Sequence, residues 1–354
     1  MNIAFVNSTL KWGGVKTWCL DMAVALREQG HEAVIMGRAG DFVDKARRLG
    51  IPAWPVRFGF DLNPVAILRF LALFLSQRID VVVVNVAKDL RTAGVAARLL
   101  GIQVVQHVGS GGDFQETAKM RLTQRLVRAR FLCCSEYVVR SIVSYVPTLN
   151  QYEVHALHPG TRIPEAPAFA LHSPPVIIAT SQLNADKRHE DLLQALALLK
   201  AEGLAFRAII VGTGSLEAAL KELAQGLGID DVVEWRGFVT DVHAELARAD
   251  IFVLPTWVEP LGMALQEAMA YGLAPVARNA GGVPEIWPPA CAEYLVPQEQ
   301  GPHALAAGLR KILALEPEAL LKLRRAAWEH ARASFERGKQ AERLAQWIAN
   351  PPAA

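Results

Sequence analysis

The chain reads as an α/β protein of two Rossmann-like, doubly wound parallel-sheet domains, and three observations predict this. Short apolar runs rich in Val, Ile and Ala recur along it, alternating with stretches of helical periodicity. Glycines stand between strand and helix at Gly13-Gly14, at Gly212 and Gly214, and at Gly262. A proline-rich interruption from Pro159 to Pro175 divides one alternating block from the next. At 354 residues the chain exceeds one typical core and suits two domains. The expected boundaries are 1–160, 161–335 and a C-terminal helix at 336–354.

In the first block, residues 3–7 form a strand, followed by the turn at 8–14 and a helix over 15–29. The next strand covers 33–36, which completes the opening unit of a doubly wound sheet. Unbroken valines make 81–85 a strand buried on both faces. A helix over 91–100 leads to a strand at 103–107. A strand at 132–135 precedes a helix over 136–144, and 154–158 closes the block. After the proline-rich stretch, strands fall at 176–180, 207–211, 232–237, 251–255 and 274–278. The helices between them cover 190–202, 215–227, 242–248 and 263–271. Amphipathic helices from 317 to 349 end the chain. The two sheets are expected to face each other, with ligand at the carboxyl ends of the strands.

Composition sets limits. With 52% hydrophobic and 20% charged residues, the chain is globular rather than disordered. Cys19, Cys133, Cys134 and Cys291 lack metal-ligand spacing and read as small buried hydrophobes of a reducing compartment. The chain opens directly on a strand, without a signal-peptide pattern, and its longest apolar run, 65–75, is short and contains Arg69. A cytoplasmic protein that does not cross the membrane is expected. Net charge is +2, but residues 1–160 hold 19 Lys and Arg against 12 Asp and Glu, and residues 161–354 hold 18 against 23. The basic half suits an anionic surface or a phosphorylated partner, and surface drift in charge is the alternative. No nucleic-acid partner is expected.

The stretch from Glu259 to Leu273 carries the most chemistry. Glu259 and Pro260 form an extended entry, Gly262 lets a ligand approach the backbone, and a helix follows from Met263 to a stop at Gly272. Glu267 lies near the first turn. Two carboxylates thus bracket a helix N-terminus with free amides, an arrangement suited to a phosphate between hydroxyl-bearing groups, as in a nucleotide sugar. Lys187 and Arg188 follow the first strand of the second block and can neutralise a diphosphate, although Arg188 better suits a solvated loop before a helix. Gly214 either lines a nucleotide or serves a plain turn. The turn Lys11-Trp12-Gly13-Gly14-Val15 can admit an anion but is not a GxGxxG fingerprint, and no suitable acidic residue follows the next strand. Both points count against a nicotinamide cofactor. His107 ends a strand before a glycine-rich loop and can donate to a sugar or phosphate oxygen. The segment 119–130 carries Lys119, Arg121, Arg125, Arg128 and Arg130, with Met120, Leu122, Leu126 and Val127 interleaved. It reads either as a basic amphipathic helix able to rest on anionic headgroups or as an ordinary surface helix. Nothing in the pattern suggests a metal site or a cofactor.

Taken together, these positions resemble the retaining glycosyltransferases of the GT-B fold, family 4 (group 1). The strongest match is EPLGMALQEAMAYGLAPVARNAGGVPEIW, in which Glu259 and Glu267 form an EX7E signature followed by a Gly-Gly-x-Pro-Glu segment. KWGGV, HEDLLQALALL, VGTGSLEAAL, VVEWRGFV and ARADIFVLPT support it. The resemblance implies an acceptor-binding first domain and a nucleotide-sugar-binding second domain. By it, Glu259 holds hydroxyls of the transferred sugar, and the amides of Leu261, Gly262 and Met263 hold sugar and phosphate oxygens. Glu267 takes the ribose, Lys187 pairs with the diphosphate, Phe238 and Val239 flank the base, and Gly13 and Gly14 touch the phosphate or acceptor side. His107 contacts the sugar near the reacting carbon, so His107, Lys187 and Glu259 are the catalytic candidates. The family's usual Arg is Gln182 here, which weakens the clamp unless Arg188 compensates. The implied activity is metal-independent transfer from a UDP-, GDP- or ADP-linked sugar to an acceptor in lipopolysaccharide, glycolipid or other envelope glycan synthesis. The acceptor would be lipid-linked or a saccharide, reached at the inner membrane face. A soluble acceptor, a nucleotide-sugar epimerase and a non-catalytic binding subunit are the alternatives.

Overall fold

A computed structural model describes the chain except for Lys11, Phe114, Gln115, Ala166, Ala168 and residues 352–354, and for the side chain of Asp113. The chain divides into two compact units, one of residues 1–160 with 337–354 and the other of residues 161–336.

The first unit holds a seven-stranded sheet. Its strands are β1 (Asn2–Asn7), β2 (Glu32–Gly37), β3 (Ala53–Pro55), β4 (Val81–Val84), β5 (Gln103–Val108), β6 (Arg130–Cys133) and β7 (Val154–Ala156). They lie in the order β3-β2-β1-β4-β5-β6-β7 and are all parallel. The order reverses between β1 and β4, the switch point at which such sheets hold ligands. β4 is four buried valines because helices cover both faces of the sheet. The helices are α1 (Gly14–Glu28), α2 (Asp41–Arg48), α3 (Pro64–Ser76), α4 (Ala87–Asp89), α5 (Val95–Leu99), α6 (Ala118–Val127) and α7 (Glu136–Tyr145), with a π-helical segment at Leu90–Gly94. The apolar run at 65–75 is α3, which starts at Pro64 under an Asn63 cap and buries Ala66, Phe70, Leu73 and Phe74.

The C-terminal helix, Arg337–Ala349, belongs to this unit. Arg337 pairs with Glu28 at 3.0 Å, and the Gln29 amide donates to the Gly338 carbonyl at 2.7 Å. Arg130 corrects the sequence expectation. It lies in β6, only 7% exposed, stacked 3.8 Å from the Trp347 ring centroid, and it donates to the Trp347 and Ile348 carbonyls while pairing with Glu153. It caps the C-terminal helix, where a cation meets the negative end of the dipole, and is not available to a membrane.

The second unit repeats the topology with β8 (Val176–Thr180), β9 (Arg207–Val211), β10 (Val233–Gly237), β11 (Ile251–Leu254), β12 (Ala274–Arg278) and β13 (Leu295–Val296). The order is β10-β9-β8-β11-β12-β13, again parallel, with the switch point between β8 and β11. Its helices are α8 (His189–Ala201), α9 (Glu217–Gly226), α10 (Val242–Leu246), α11 (Met263–Ala270), α12 (Gly301–Leu313) and α13 (Pro317–Ser334).

Much of the stretch expected as a linker is anchored on this unit. The Thr161 amide donates to the Phe335 carbonyl at 2.8 Å, Phe169 packs edge-on against Trp328, and His172 lies 3.0 Å from Asp250. Buried Arg324 ties the Ala170 and Gly272 carbonyls to Asp250. Gly272, with φ of +71°, both ends α11 and leaves room for the Phe169 ring.

Candidate active site

In the second unit, the loops after β8 and β11 flank the switch point, and their sequences decide what meets there. The Lys187 ammonium lies 3.1 Å from the Glu259 carboxylate and 3.6 Å from that of Asp186. Both members of the main pair are largely covered, with side-chain exposures of 20% and 13%. Two of the three residues expected to be catalytic therefore meet directly.

The loops are fastened to each other by backbone. The Trp257 amide donates to the Asp186 carbonyl at 3.0 Å, and the Gly282 amide to the Glu259 carbonyl at 2.9 Å. A Cβ at Gly282 would sit 2.2 Å from the Pro260 carbonyl oxygen, so the Gly-Gly-x-Pro-Glu segment earns its glycine by close packing under the Glu259 loop.

Gly262 takes φ of +106°, a conformation open chiefly to glycine, and turns the chain into α11. Leu265 and Gln266 donate to its carbonyl. Among the described residues, no acceptor takes the amides of Gly262, Met263 or Ala264. These groups leave positive partial charge beside the Lys187–Glu259 pair. Leu261 is buried beneath the turn, and Glu267 is half-buried in the second turn of α11.

Three residues that sequence reasoning did not single out hold this arrangement. Asp191 accepts from Arg188 at 2.9 and 3.2 Å and also pairs with the fully buried Arg278. Arg278 donates to the Pro255 carbonyl at 2.9 Å, and the Trp257 ring lies against both arginines, 5.5 Å from Arg278 and 5.8 Å from Arg188. Arg188 is thus engaged with Asp191, from a left-handed turn with φ of +51°. One signal was available: an arginine closing the apolar strand APVAR must find a buried acid. His189 follows, its Nε2 3.2 Å from the Ser181 hydroxyl, and burial pulls its pKa down to about 4.

Gln182 is exposed and accepts from the Asn184 amide at 3.0 Å. Gly214 owes its identity to the chain: a Cβ there would lie 2.3 Å from the Leu183 carbonyl oxygen. Phe238 is 69% exposed just beyond β10, with Val239 half-buried beside it.

The first unit offers different chemistry at its strand ends. Gly13 caps α1, and both Gly13 and Gly14 are exposed; Lys11 lies outside the described residues. Lys16, the next cation along, is turned inward, donating to the Thr9 carbonyl at 2.8 Å, and burial lowers its pKa. His107 is 3% exposed and stacks on Trp18, with ring centroids 3.7 Å apart and planes 7° from parallel. Burial alone pushes its pKa down to about 3, so the ring is neutral at physiological pH. Asp89, fully buried, accepts from the Ser8, Asn85 and Val86 amides, and burial lifts its pKa to about 6.

On α6, Lys119 pairs with Asp61, which also holds Arg91 at 3.0 Å, and Arg121 pairs with Glu116 at 3.2 Å. Arg125 and Arg128 are exposed, as are Leu122 at 69% and Leu126 at 51%. Val127 is buried. The apolar side of this helix is therefore only partly used for packing. No helix of the described residues is long and apolar enough to cross a membrane.

Two Rossmann-like domains with the anion-ready site in the second define the GT-B class. The description "Glycosyl transferases group 1" matches residues 165–333, and "Glycosyltransferase Family 4" matches residues 12–163. The chain belongs to glycosyltransferase family 4, group 1. It is 33% identical over 183 residues to a putative colanic acid biosynthesis glycosyltransferase of Escherichia coli, covering 49% of this chain and 45% of that protein. It is 27% identical over 191 residues to a GDP-mannose-dependent alpha-(1-6)-phosphatidylinositol monomannoside mannosyltransferase of Mycobacterium tuberculosis, covering 51% and 48%. The aligned stretch spans about half the length of these relatives. Among solved structures, a glycosyltransferase from Rickettsia africae superposes with a TM-score of 0.80 at 18% identity, covering 98% of this chain and 97% of that one. Anabaena HepE in complex with UDP and glucose superposes with a TM-score of 0.79 at 20% identity, covering 99% and 100%.

Proposed function

We propose that the chain transfers a sugar from a nucleoside diphosphate to an acceptor hydroxyl, with retention at the anomeric carbon and without a metal ion. The observation that carries this reading is the Lys187–Glu259 pair beside the unpaired amides of α11. An arriving diphosphate would draw Lys187 and the amides to itself, which frees the Glu259 carboxylate for sugar hydroxyls. Glu267 would accept from the ribose, and Phe238 and Val239 would flank the base. As the glycosidic bond breaks, negative charge grows on the departing phosphate, where Lys187 and the helix terminus stabilise it. Groups of this kind contribute about 3–4 kcal/mol. A departing phosphate oxygen takes the acceptor's proton, so no side-chain general base is required, and the cationic work assigned elsewhere to a metal falls to Lys187.

The acceptor we propose is a lipid-linked or saccharide intermediate of a cell-envelope polysaccharide. Support comes from relatives named for colanic acid and phosphatidylinositol mannoside synthesis, and from the surface around α6. There Leu122, Leu126, Phe60 and Leu62 are exposed among Arg125, Arg128 and Lys119. Such a patch suits an anionic bilayer, and the protein would work at a cytoplasmic membrane face.

A donor screen tests the proposal: UDP-, GDP- and ADP-linked sugars, with nucleotide release measured with and without a mixed glycolipid extract. Extract-dependent release that survives EDTA, giving a product of the donor's anomeric configuration, is expected. Loss with EDTA or inversion would overturn the corresponding part. Release to water alone would favour a hydrolytic epimerase. Flotation with anionic vesicles should fall several-fold for Leu122→Ser with Leu126→Ser, and equal flotation on neutral vesicles would remove the membrane assignment.

A further inference from the structure

Part of the cation excess of the first 160 residues gathers on one loop, that between β3 and α3, at the edge of the sheet. Residues 57–62 of this loop read Arg-Phe-Gly-Phe-Asp-Leu, and cations from four neighbouring segments reach them. The Arg38 guanidinium, one residue beyond β2, lies 5.7 Å from the Phe58 ring centroid. Lys88, in α4, donates to the Gly59 carbonyl at 2.9 Å. Arg91 and Lys119 both pair with Asp61, the former at 3.0 Å. Arg57 is itself exposed. Five cations thus meet on a stretch with a single carboxylate of its own.

How each cation is held decides what remains for a ligand. Arg38 donates to the Ser8 carbonyl at 2.5 Å, and Lys88 to that of Gly59, so both are fixed by neutral groups. A carbonyl or a ring orients a cation without cancelling its charge, whereas a carboxylate does both. Among the described residues, no acid pairs with Arg38, Arg57 or Lys88. Arg38 and Lys88 are half-buried, within reach of a ligand yet held in place.

The same loop turns apolar groups to water. Phe60 is 68% exposed and Leu62 49%. Unneutralised cations beside exposed apolar side chains match a ligand of two parts, an anionic head and a hydrocarbon chain. Three cations without acids also suit a head of more than one charge. A bilayer phosphodiester carries one, and a diphosphate diester carries two.

We propose that the β3–α3 loop binds the head group of the acceptor and that this head is a lipid diphosphate. Arg38, Arg57 and Lys88 take the diphosphate, and Phe60 and Leu62 lie along the first carbons of the chain. Arg91 and Lys119, which hold the loop through Asp61, are positioning residues. The proposal rests on the transfer activity proposed above and narrows its acceptor to saccharides joined to lipid through a diphosphate.

Binding is measured on the full chain by calorimetry, with farnesyl diphosphate as the probe. It should bind about 10-fold or more tighter than farnesyl monophosphate, and Arg57→Ala with Lys88→Ala should weaken it about 10-fold or more. Lys187→Ala should leave it unchanged, which separates this loop from the nucleotide site. Farnesol binding as tightly as the diphosphate, an unchanged constant in the double variant, or loss of binding in Lys187→Ala would each overturn the site. Flotation on phosphatidylglycerol vesicles should be the same for the double variant and the wild type. A several-fold loss would mean that the loop reads bilayer head groups instead.

Transfer supplies the last arm. Mild acid releases saccharide from diphosphate-linked lipids, so treating the glycolipid extract with it should abolish transfer to the lipid fraction. Undiminished transfer would overturn the diphosphate and leave the activity standing. Absence of transfer from any nucleotide sugar would break the proposed activity, and the farnesyl diphosphate titrations would still decide on the loop.

Discussion

The two units share one topology and use its carboxyl end in opposite ways. In the second, the switch point between β8 and β11 is set with charge: Lys187 against Glu259, and Arg188 and Arg278 sharing Asp191. In the first, the region around the β1/β4 switch point holds Trp18, Asn85 and a His107 kept uncharged, beside the buried carboxylate of Asp89, which takes the Ser8 and Asn85 amides. The sheet fixes where a ligand can be met, and the loop residues decide whether it is met by ion pairing or by uncharged hydrogen bonds. A phosphate suits the first kind of site and a hydroxyl the second.

The largest expected effect lies in the charged unit. Asp191→Ala leaves Arg278, which is fully buried, without its carboxylate. Losing one partner of a buried pair costs about 3–5 kcal/mol, enough to lower the thermal midpoint by several degrees in calorimetry. Arg278 and Trp257 would no longer clamp the loop that carries Glu259, so donor KM should rise as well. An unchanged midpoint would mean that Arg278 finds other acceptors, and that the charged site tolerates disorder as a neutral one would.

Next comes Lys187→Ala, expected to lower kcat/KM by about 10²–10³ through the lost stabilisation of the leaving phosphate. The Lys187–Glu259 pair is largely covered but less so than Asp191 and Arg278, so the melting temperature should move less than in Asp191→Ala. A large loss of stability with modest kinetic change would recast the pair as structural.

The third effect belongs to the neutral unit and is read as pH dependence. The pKa of His107 is depressed to about 3 in the folded chain, against about 6.5 for a free imidazole. The unfolded chain therefore binds this proton first as pH falls. Stability associated with a neutral His107 is present above pH 6.5 and lost between there and about pH 3, at up to about 1.4 kcal/mol per pH unit. Asp89, raised to about 6, acts with the opposite sign: the folded chain takes its proton first, which offsets part of the loss below pH 6. Urea unfolding of His107→Gln between pH 7 and 4.5 should show a slope shallower toward acid by about one proton. An identical slope would mean that the ring is charged in the folded state.

How much of this was legible depended on the range of the interactions. β4, β8, β9 and β12 could be read from their apolar runs, because a strand buried on both faces needs no distant information. Glu259, Gly262 and Glu267 could be read because their spacing is local. Helix α3 was seen only as a run too short to span a bilayer, since its apolar residues extend beyond one face. Arg130 was misread as the last cation of a helix because its partners, Glu153 and Trp347, lie far along the chain. The same holds for Asp191, whose partner Arg278 is 87 positions away, and for His107, which stacks on Trp18 and lies 3.3 Å from Asn85. Charges are settled by neighbours in space, and those a single sequence does not display.

The finest comparison is between two glycines, one from each unit. Gly282 is packed so closely that a Cβ would stand 2.2 Å from the Pro260 carbonyl. Gly282→Ala must therefore push back the loop bearing Glu259, at a cost of about 1–3 kcal/mol and with a drop in kcat. Gly13 is the opposite case. Its φ of −171° is extended backbone that any residue adopts, and a Cβ there meets nothing within 4 Å. Gly13→Ala should leave stability within about 0.5 kcal/mol of the wild type. Any rise in KM for donor or acceptor would then report a ligand against that turn, because no internal contact is available to explain it. If KM stays as it was, the turn before α1 is a bend in the chain and nothing more, and Gly13 leaves the set of substrate-binding residues.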